Sequence, residues 1–179
     1  ERYKPARKIF EKLWKQKAYG PLVLDWQSLM PRSYGKKSDK QLGWYKKLVS
    51  LNPDAAESHI AVAEKALELK LYSEARYYLR EAEKLEPGAR LYRLLAKLEE
   101  QEFNNKETAR VWMEKALEAK ADKQWICTHT GEVYTRWHAL SKPHNSFNTI
   151  RWISKDDLTP LISNANIQAA PDLMLIDQS

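Results

Sequence analysis

The sequence predicts an all-α fold of antiparallel helix pairs, with a small β-hairpin or ribbon appended at its C-terminal end. Three observations predict it. Alanines and prolines recur at one fixed interval through the middle of the chain. Ala, Leu, Lys and Glu, all strong helix formers, dominate that same region. After residue 121 aromatic and β-branched residues replace them, and Gly- and Asn-containing turns appear.

The interval is 34 residues. Ala63, Ala75 and Ala82 mark one segment, which Pro87 closes. One interval further on stand Lys97, Ala109 and Ala116, and one interval before Pro87 stands Pro53. This is the length of a tetratricopeptide repeat, so the predicted architecture is a tetratricopeptide-type α-α superhelix. Each repeat is a pair of helices. Small residues let the two approach closely, and a proline after the second helix stops it.

Taken in order, residues 4–17 (KPARKIFEKLWKQK) read as the second helix of a truncated repeat. Residues 20–53 form a degenerate repeat with Trp44, Leu48 and Leu51 on its second helix and a long polar loop, PRSYGKKSDK, between its helices. Asn52-Pro53-Asp54 is a helix break. Residues 56–89 and 90–123 are the clearest repeats. Leu67 and Leu79 fill the space within the first of them, and Asn104-Asn105 makes the turn inside the second. The domain reading is therefore helical repeats over 1–121, a cap over 122–153 and a tail over 154–179. A stack of repeats leaves open ends, which the cap suits.

Composition sets the class. Of 179 residues, 43% are apolar and 30% charged, which fits a folded rather than a disordered chain. Cys127 is the single cysteine, so no disulfide forms within the chain and a reducing compartment is expected. No apolar run nears the roughly 20 residues that span a bilayer. The chain begins at Glu1, not Met, which leaves open whether it is a fragment of a longer protein. The net charge of +6 is uneven: residues 1–50 carry a net +9, residues 51–121 a net −2, and the remainder a net −1.

The first helix of each pair is expected to line a concave face. That face comprises Trp26 and Met30, then Glu57, Ile60, Glu64 and Glu68, then Leu91, Leu94, Leu98 and Gln101. It reads as apolar and acidic, suited to a partner protein presenting a basic or amphipathic helix. Tetratricopeptide co-chaperones grip a peptide carboxylate with Lys and Asn on this face. Ile60 and Glu64 stand where Asn is needed, so binding of that kind is not expected.

Beyond residue 121, strands are expected near 124–128, 133–137 and 149–153. Here the sequence resembles the bacterial HemY family. Trp125, Cys127, Gly131, Trp137, Phe147 and Trp152 stand at that family's spacing. So do LNPDAAESHIAVAEKALELKLYSEARYYLREAEKLEP and the stretch leading into Trp125, and the resemblance spans roughly residues 5–153. In that family two Cys-x-x-Cys knuckles form a rubredoxin or zinc-ribbon-like end. In this chain Thr130, Ser141 and His144 take three of the four cysteine places. The resemblance implies a scaffold associated with late haem biosynthesis and partnered by haem-biosynthesis enzymes. It also implies tethering to the cytoplasmic face of the bacterial inner membrane by helices absent from this chain.

Zinc needs four strong ligands, and hydroxyls are poor ones. Cys127, His129, His138 and His144 are the candidate set, but their spacing matches no knuckle, so no metal is expected. A metal-free ribbon held by Trp125, Trp137, Phe147 and Trp152 is expected instead. Haem ligation by His59, His138 or His144 is the corresponding haem reading, without a Cys-x-x-Cys-His motif to support it. No phosphate loop, His-Glu-x-x-His or Gly-x-Ser-x-Gly motif occurs, and Cys127 with His129 or His144 lacks an orienting third group, so no catalysis is expected. The alternative function is nucleic-acid or anionic-membrane binding through Lys8, Lys12, Lys15 and Lys17, interleaved with Trp14 and Tyr19.

Overall fold

The computed structural model describes residues 3–142 and 145–158. The tail expected over 154–179 therefore lies mostly outside the described residues. Two compact units divide the chain between Ala119 and Lys120.

The first unit is helical: α1 (Lys4–Gln16), α2 (Leu22–Ser28), α3 (Ser38–Leu51), α4 (Ala56–Glu68), α5 (Tyr72–Leu85), α6 (Ala89–Phe103) and α7 (Lys106–Glu118). A single 3-10 turn, Arg32–Tyr34, lies between α2 and α3. The odd-numbered helices begin at Lys4, Ser38, Tyr72 and Lys106, each start 34 residues after the last. Short connections fold α4 onto α5 and α6 onto α7, and α3 packs on α4 and α5 on α6. The chain turns sharply because its helix ends are capped. Lys70 adopts the left-handed conformation (φ 58°). The amides of Lys70 and Leu71 return to the carbonyls of Leu67 and Ala66, which closes α4 in a Schellman motif. Asn104 ends α6 in the same left-handed region, and the Asn105 side chain caps α7 by accepting from the Thr108 amide.

Burial follows the alanines. Ala63, Ala75 and Ala82 have no exposed surface, and Ala109 and Ala116 are buried too. The place matching Ala63 in the last pair belongs to buried Ala96, while Lys97 is exposed. The strict interval holds for the second helix of each pair and slips by one residue in the first, because α6 starts at Ala89.

The degenerate pair is held differently. The places of Ala63, Ala75 and Ala82 belong here to Leu29, Gln41 and Leu48, and two indoles at other positions join α2 to α3. Trp26 stacks on Trp44 with ring centroids 4.2 Å apart. Each donates its Nε1–H to the other's backbone carbonyl, at 3.1 and 3.0 Å. Phe10 of α1 stacks on the far side of Trp26 at 4.8 Å. Trp14 donates its Nε1–H to the Leu48 carbonyl and lies 3.0 Å from the Ser58 hydroxyl. Buried indoles are stable only when the N–H finds an acceptor, and all three do.

The second unit is a three-stranded antiparallel sheet, β1 (Lys123–Cys127), β2 (Val133–Tyr134) and β5 (Ile150–Ser154), in the order β2-β1-β5. A separate hairpin pairs β3 (Leu140–Ser141) with β4 (Ser146–Phe147). A 3-10 turn at Lys155–Asp157 follows β5. It is tied to the start of the unit by Lys120–Asp157 (2.8 Å) and by the Ala121 amide donating to Asp156 (2.9 Å). The strand expected over 133–137 is only two residues long, and the β3–β4 hairpin was not foreseen. Trp125 and Trp152 pair across β1 and β5 with rings 5.3 Å apart. The four-aromatic cluster is not formed: Trp137 is 49% and Phe147 74% exposed. In a two-residue hairpin alternate side chains face opposite ways. Ser141 is buried, which leaves Leu140 and Phe147 outward. Ile126, Cys127, Ile150 and Ser154 form the buried set instead.

Enlarging a fully buried alanine must force the helices apart. Ala82→Leu is expected to destabilise the chain by about 1–3 kcal/mol, whereas Ala6→Leu on the exposed side of α1 changes stability by less than about 0.5 kcal/mol. Chemical denaturation followed by circular dichroism checks both.

Candidate functional site

A cleft of about 580 Å³ opens between α4, the start of α5 and α6. Glu64, Leu67 and Glu68 of α4 line one wall, and Leu94, Lys97 and Gln101 of α6 the other. Lys70 and Tyr72 close one end. Spacings of three and four residues put each set on one helix face.

The carboxylates of this region are largely spoken for. Arg90, at the start of α6, grips Glu64 with two parallel contacts of 3.0 and 2.8 Å and reaches Glu57 at 2.8 Å. Such a fork is the strong form of an ion pair. Burial works to lower the Arg90 pKa, but Glu57 and Glu64 overcome it and hold the guanidinium above its ordinary value. Gly20 lies against this pair: a Cβ there would come within 2.8 Å of the Glu57 carboxylate. Glu68 is met by Lys65 at 2.8 Å. The Lys65 ammonium also sits over the Tyr45 ring, 5.7 Å from its centroid. Burial, then the charges of Glu68 and Glu64, push the Tyr45 hydroxyl up to about 12. On the neighbouring interface Arg76 of α5 joins Glu99 and Glu102 of α6 in the same way, at 2.7 and 2.6 Å. Lys70 and Lys97 make no ion pair among the described residues.

The expected concave-face residues are thus divided. Glu64, Glu68, Leu94 and Gln101 meet in the cleft. Trp26 is in the aromatic stack, and Ile60, Leu91 and Leu98 are buried in the core, so none of these four offers surface to a partner. Met30 is half-buried against that core, and Glu57 is bound to Arg90. Lys70 and Lys97 border the cleft beside Glu64 and Glu68, which pair with Arg90 and Lys65. Lys70, Tyr72 and Lys97 were missed, while Leu67 is buried between the helices as expected. Lys70 needed the turn geometry, and Lys97 was obscured by the one-residue slip.

In the second unit Cys127 sits in a thiol–hydroxyl cluster. The Cys127 thiol contacts the Thr149 hydroxyl at 3.5 Å, and Thr149 lies 3.0 Å from the Ser141 hydroxyl. The Gly131 amide closes the turn onto the Cys127 carbonyl at 2.8 Å, with Gly131 at φ 74°. Burial raises the Cys127 pKa, but hydroxyl hydrogen bonds from Thr130, Thr149 and Ser141 outweigh it and bring it down to about 6. One thiolate among hydroxyls does not fit tetrahedral zinc. Among the described residues no group of three or more His, Cys, Asp or Glu side chains gathers as a metal site. His129 is exposed, His138 lies beside the Tyr134 ring, and His144 lies outside the described residues. His59 is buried with Nε2 2.7 Å from the Pro53 carbonyl.

On α1, Lys8, Lys12 and Lys15 are exposed and Lys17 sits over the Tyr19 ring at 5.0 Å. Trp14 is fully buried, so it is not available to stack on a nucleic-acid base.

Over 131 residues the chain is 27% identical to a probable magnetosome protein, Mms48, of Magnetospirillum gryphiswaldense. The match covers 70% of this chain and 29% of that protein, so the chain spans under a third of the relative's length. No family model and no solved structure matches the chain. Among the described residues no helix is long and apolar enough to cross a membrane.

The hydroxyl cage makes Cys127 a pH-sensitive element. Its folded pKa lies below the ordinary thiol value of 9.0, so it adds stability that is complete above that value and is lost as pH falls towards about 6. Thiolate absorbance at the far-ultraviolet band is expected to titrate near the lower figure. Thr149→Val moves that midpoint upward and flattens the rise of unfolding free energy between the two pH values.

Proposed function

We propose that the chain is a non-catalytic scaffold of tetratricopeptide type that binds polypeptide in the cleft between α4 and α6. The observation carrying this reading is the cleft itself, where apolar Tyr72 and Leu94 lie among charged side chains on rigid helices. Concave sites that combine an apolar floor with a few fixed polar groups are the usual form of a binding pocket. The 34-residue spacing of helix starts supports the tetratricopeptide assignment. The HemY resemblance supports a further proposal: in the full-length protein these repeats are tethered at the bacterial inner membrane, on its cytoplasmic face, where they organise late haem-biosynthesis enzymes.

Selection of peptides from a displayed random library against the purified chain tests the binding role. Leu94→Asp, which puts a charge on the floor, and Gln101→Trp, which fills the exposed rim, are each expected to weaken the selected peptides by about tenfold or more. Circular dichroism of both variants should match the parent. Peptides that bind both variants as tightly as the parent place the site elsewhere and refute the reading.

A further inference from the structure

We propose that the cleft selects acidic polypeptide segments: an apolar side chain packs against Tyr72 and Leu94, and carboxylates beside it meet Lys70 and Lys97. This rests on the reading of the cleft as a polypeptide site and adds the chemistry of what it selects.

The charges that line the cleft are not equally engaged. Glu64 is held in a two-point contact by Arg90, at 3.0 and 2.8 Å. Glu68 is met by Lys65 at 2.8 Å, and the stem of Lys65 is buried. Glu64 is thereby committed on both oxygens, whereas Glu68, 63% exposed, is engaged on one. Lys70 and Lys97 are different. Both are exposed, both line the cleft, and neither makes an ion pair among the described residues. They come from different elements, Lys70 from the turn after α4 and Lys97 from the middle of α6. The left-handed backbone at Lys70 fixes where its side chain leaves the chain. Leu94 stands one turn before Lys97 on the same helix face, so an apolar contact and a cation are offered together.

The same features disfavour the other anionic macromolecules. A nucleic-acid backbone brings closely spaced phosphates that need a run of cations. The cleft offers two such cations, Lys70 and Lys97, rather than a run. A lipid surface needs a projecting face, and this is a recess.

Fluorescence polarisation with defined probes tests the proposal. The probes are two labelled peptides sharing a Leu-Phe centre, one flanked by Glu and one by Lys, and a labelled single-stranded oligothymidylate. The glutamate peptide is expected to bind at physiological salt and the lysine peptide about tenfold more weakly or not at all. The double substitution Lys70→Glu with Lys97→Glu, both on exposed positions, is expected to reverse that order. The proposal is overturned by four outcomes: equal or stronger binding of the lysine peptide, binding of the oligonucleotide alone, glutamate-peptide binding that the double substitution leaves unchanged, or binding of neither peptide. In the first case, loss of the lysine peptide on Leu94→Asp leaves the cleft as a polypeptide site with a different preference. In the last, the library selection separately decides whether the cleft binds polypeptide.

Discussion

Two helices approach only as closely as the smallest side chains between them allow, and the helical unit is built on that limit. Ala63, Ala75 and Ala82 in one pair, and Ala96, Ala109 and Ala116 in the next, put almost nothing between neighbouring backbones and are buried. Close approach within each pair fixes the placement of the next. α4 and α6 therefore lie near one another with a recess between them, bordered by the turn that ends α4. The first pair reaches a comparable result by another route. Its indoles are too large for close approach, so Trp26 and Trp44 fill the gap as a stacked pair and satisfy each other's N–H and carbonyl groups. Its first helix, α2, is accordingly short, at seven residues.

Charge is arranged around the same geometry. Arg90 and Arg76 each bind two glutamates from a neighbouring helix. Arg90 links α6 to α4, and Arg76 links α5 to α6. Planar guanidinium groups suit this task better than ammonium groups, because one fork engages two carboxylates without losing its charge. A region that carries more Glu and Asp than Lys and Arg thus shows its cleft a different balance from the one its composition suggests.

Much of the fold was legible in the sequence. The recurring alanines and the Asn52-Pro53 and Asn104-Asn105 breaks placed the helices of the two regular pairs, because small buried residues and helix stops are local signals. The cleft was only half legible. Glu64, Glu68, Leu94 and Gln101 follow from helical phase alone. Trp26 and Ile60 share that phase, but burial depends on what packs above them, which one sequence does not state. Lys70 became part of the site through a left-handed turn residue that is not glycine. Lys97 was hidden by a one-residue slip between first helices. In the second unit Cys127 comes close to Ser141. What joins them is Thr149, a strand-edge residue with no motif to mark it. Phe147 and Trp137 were misplaced because aromatic content predicts burial only where the strand pattern turns the ring inward.

The account stands or falls on where a bound polypeptide sits. Backbone amide resonances of the chain, recorded with and without a tightly bound library-selected peptide, answer this most directly. The shifts are predicted to concentrate in residues 64–72 and 94–101, with α1 and the second helices of each pair little affected. Shifts centred on Lys8, Lys12 and Lys15, with the cleft residues unmoved, would contradict it.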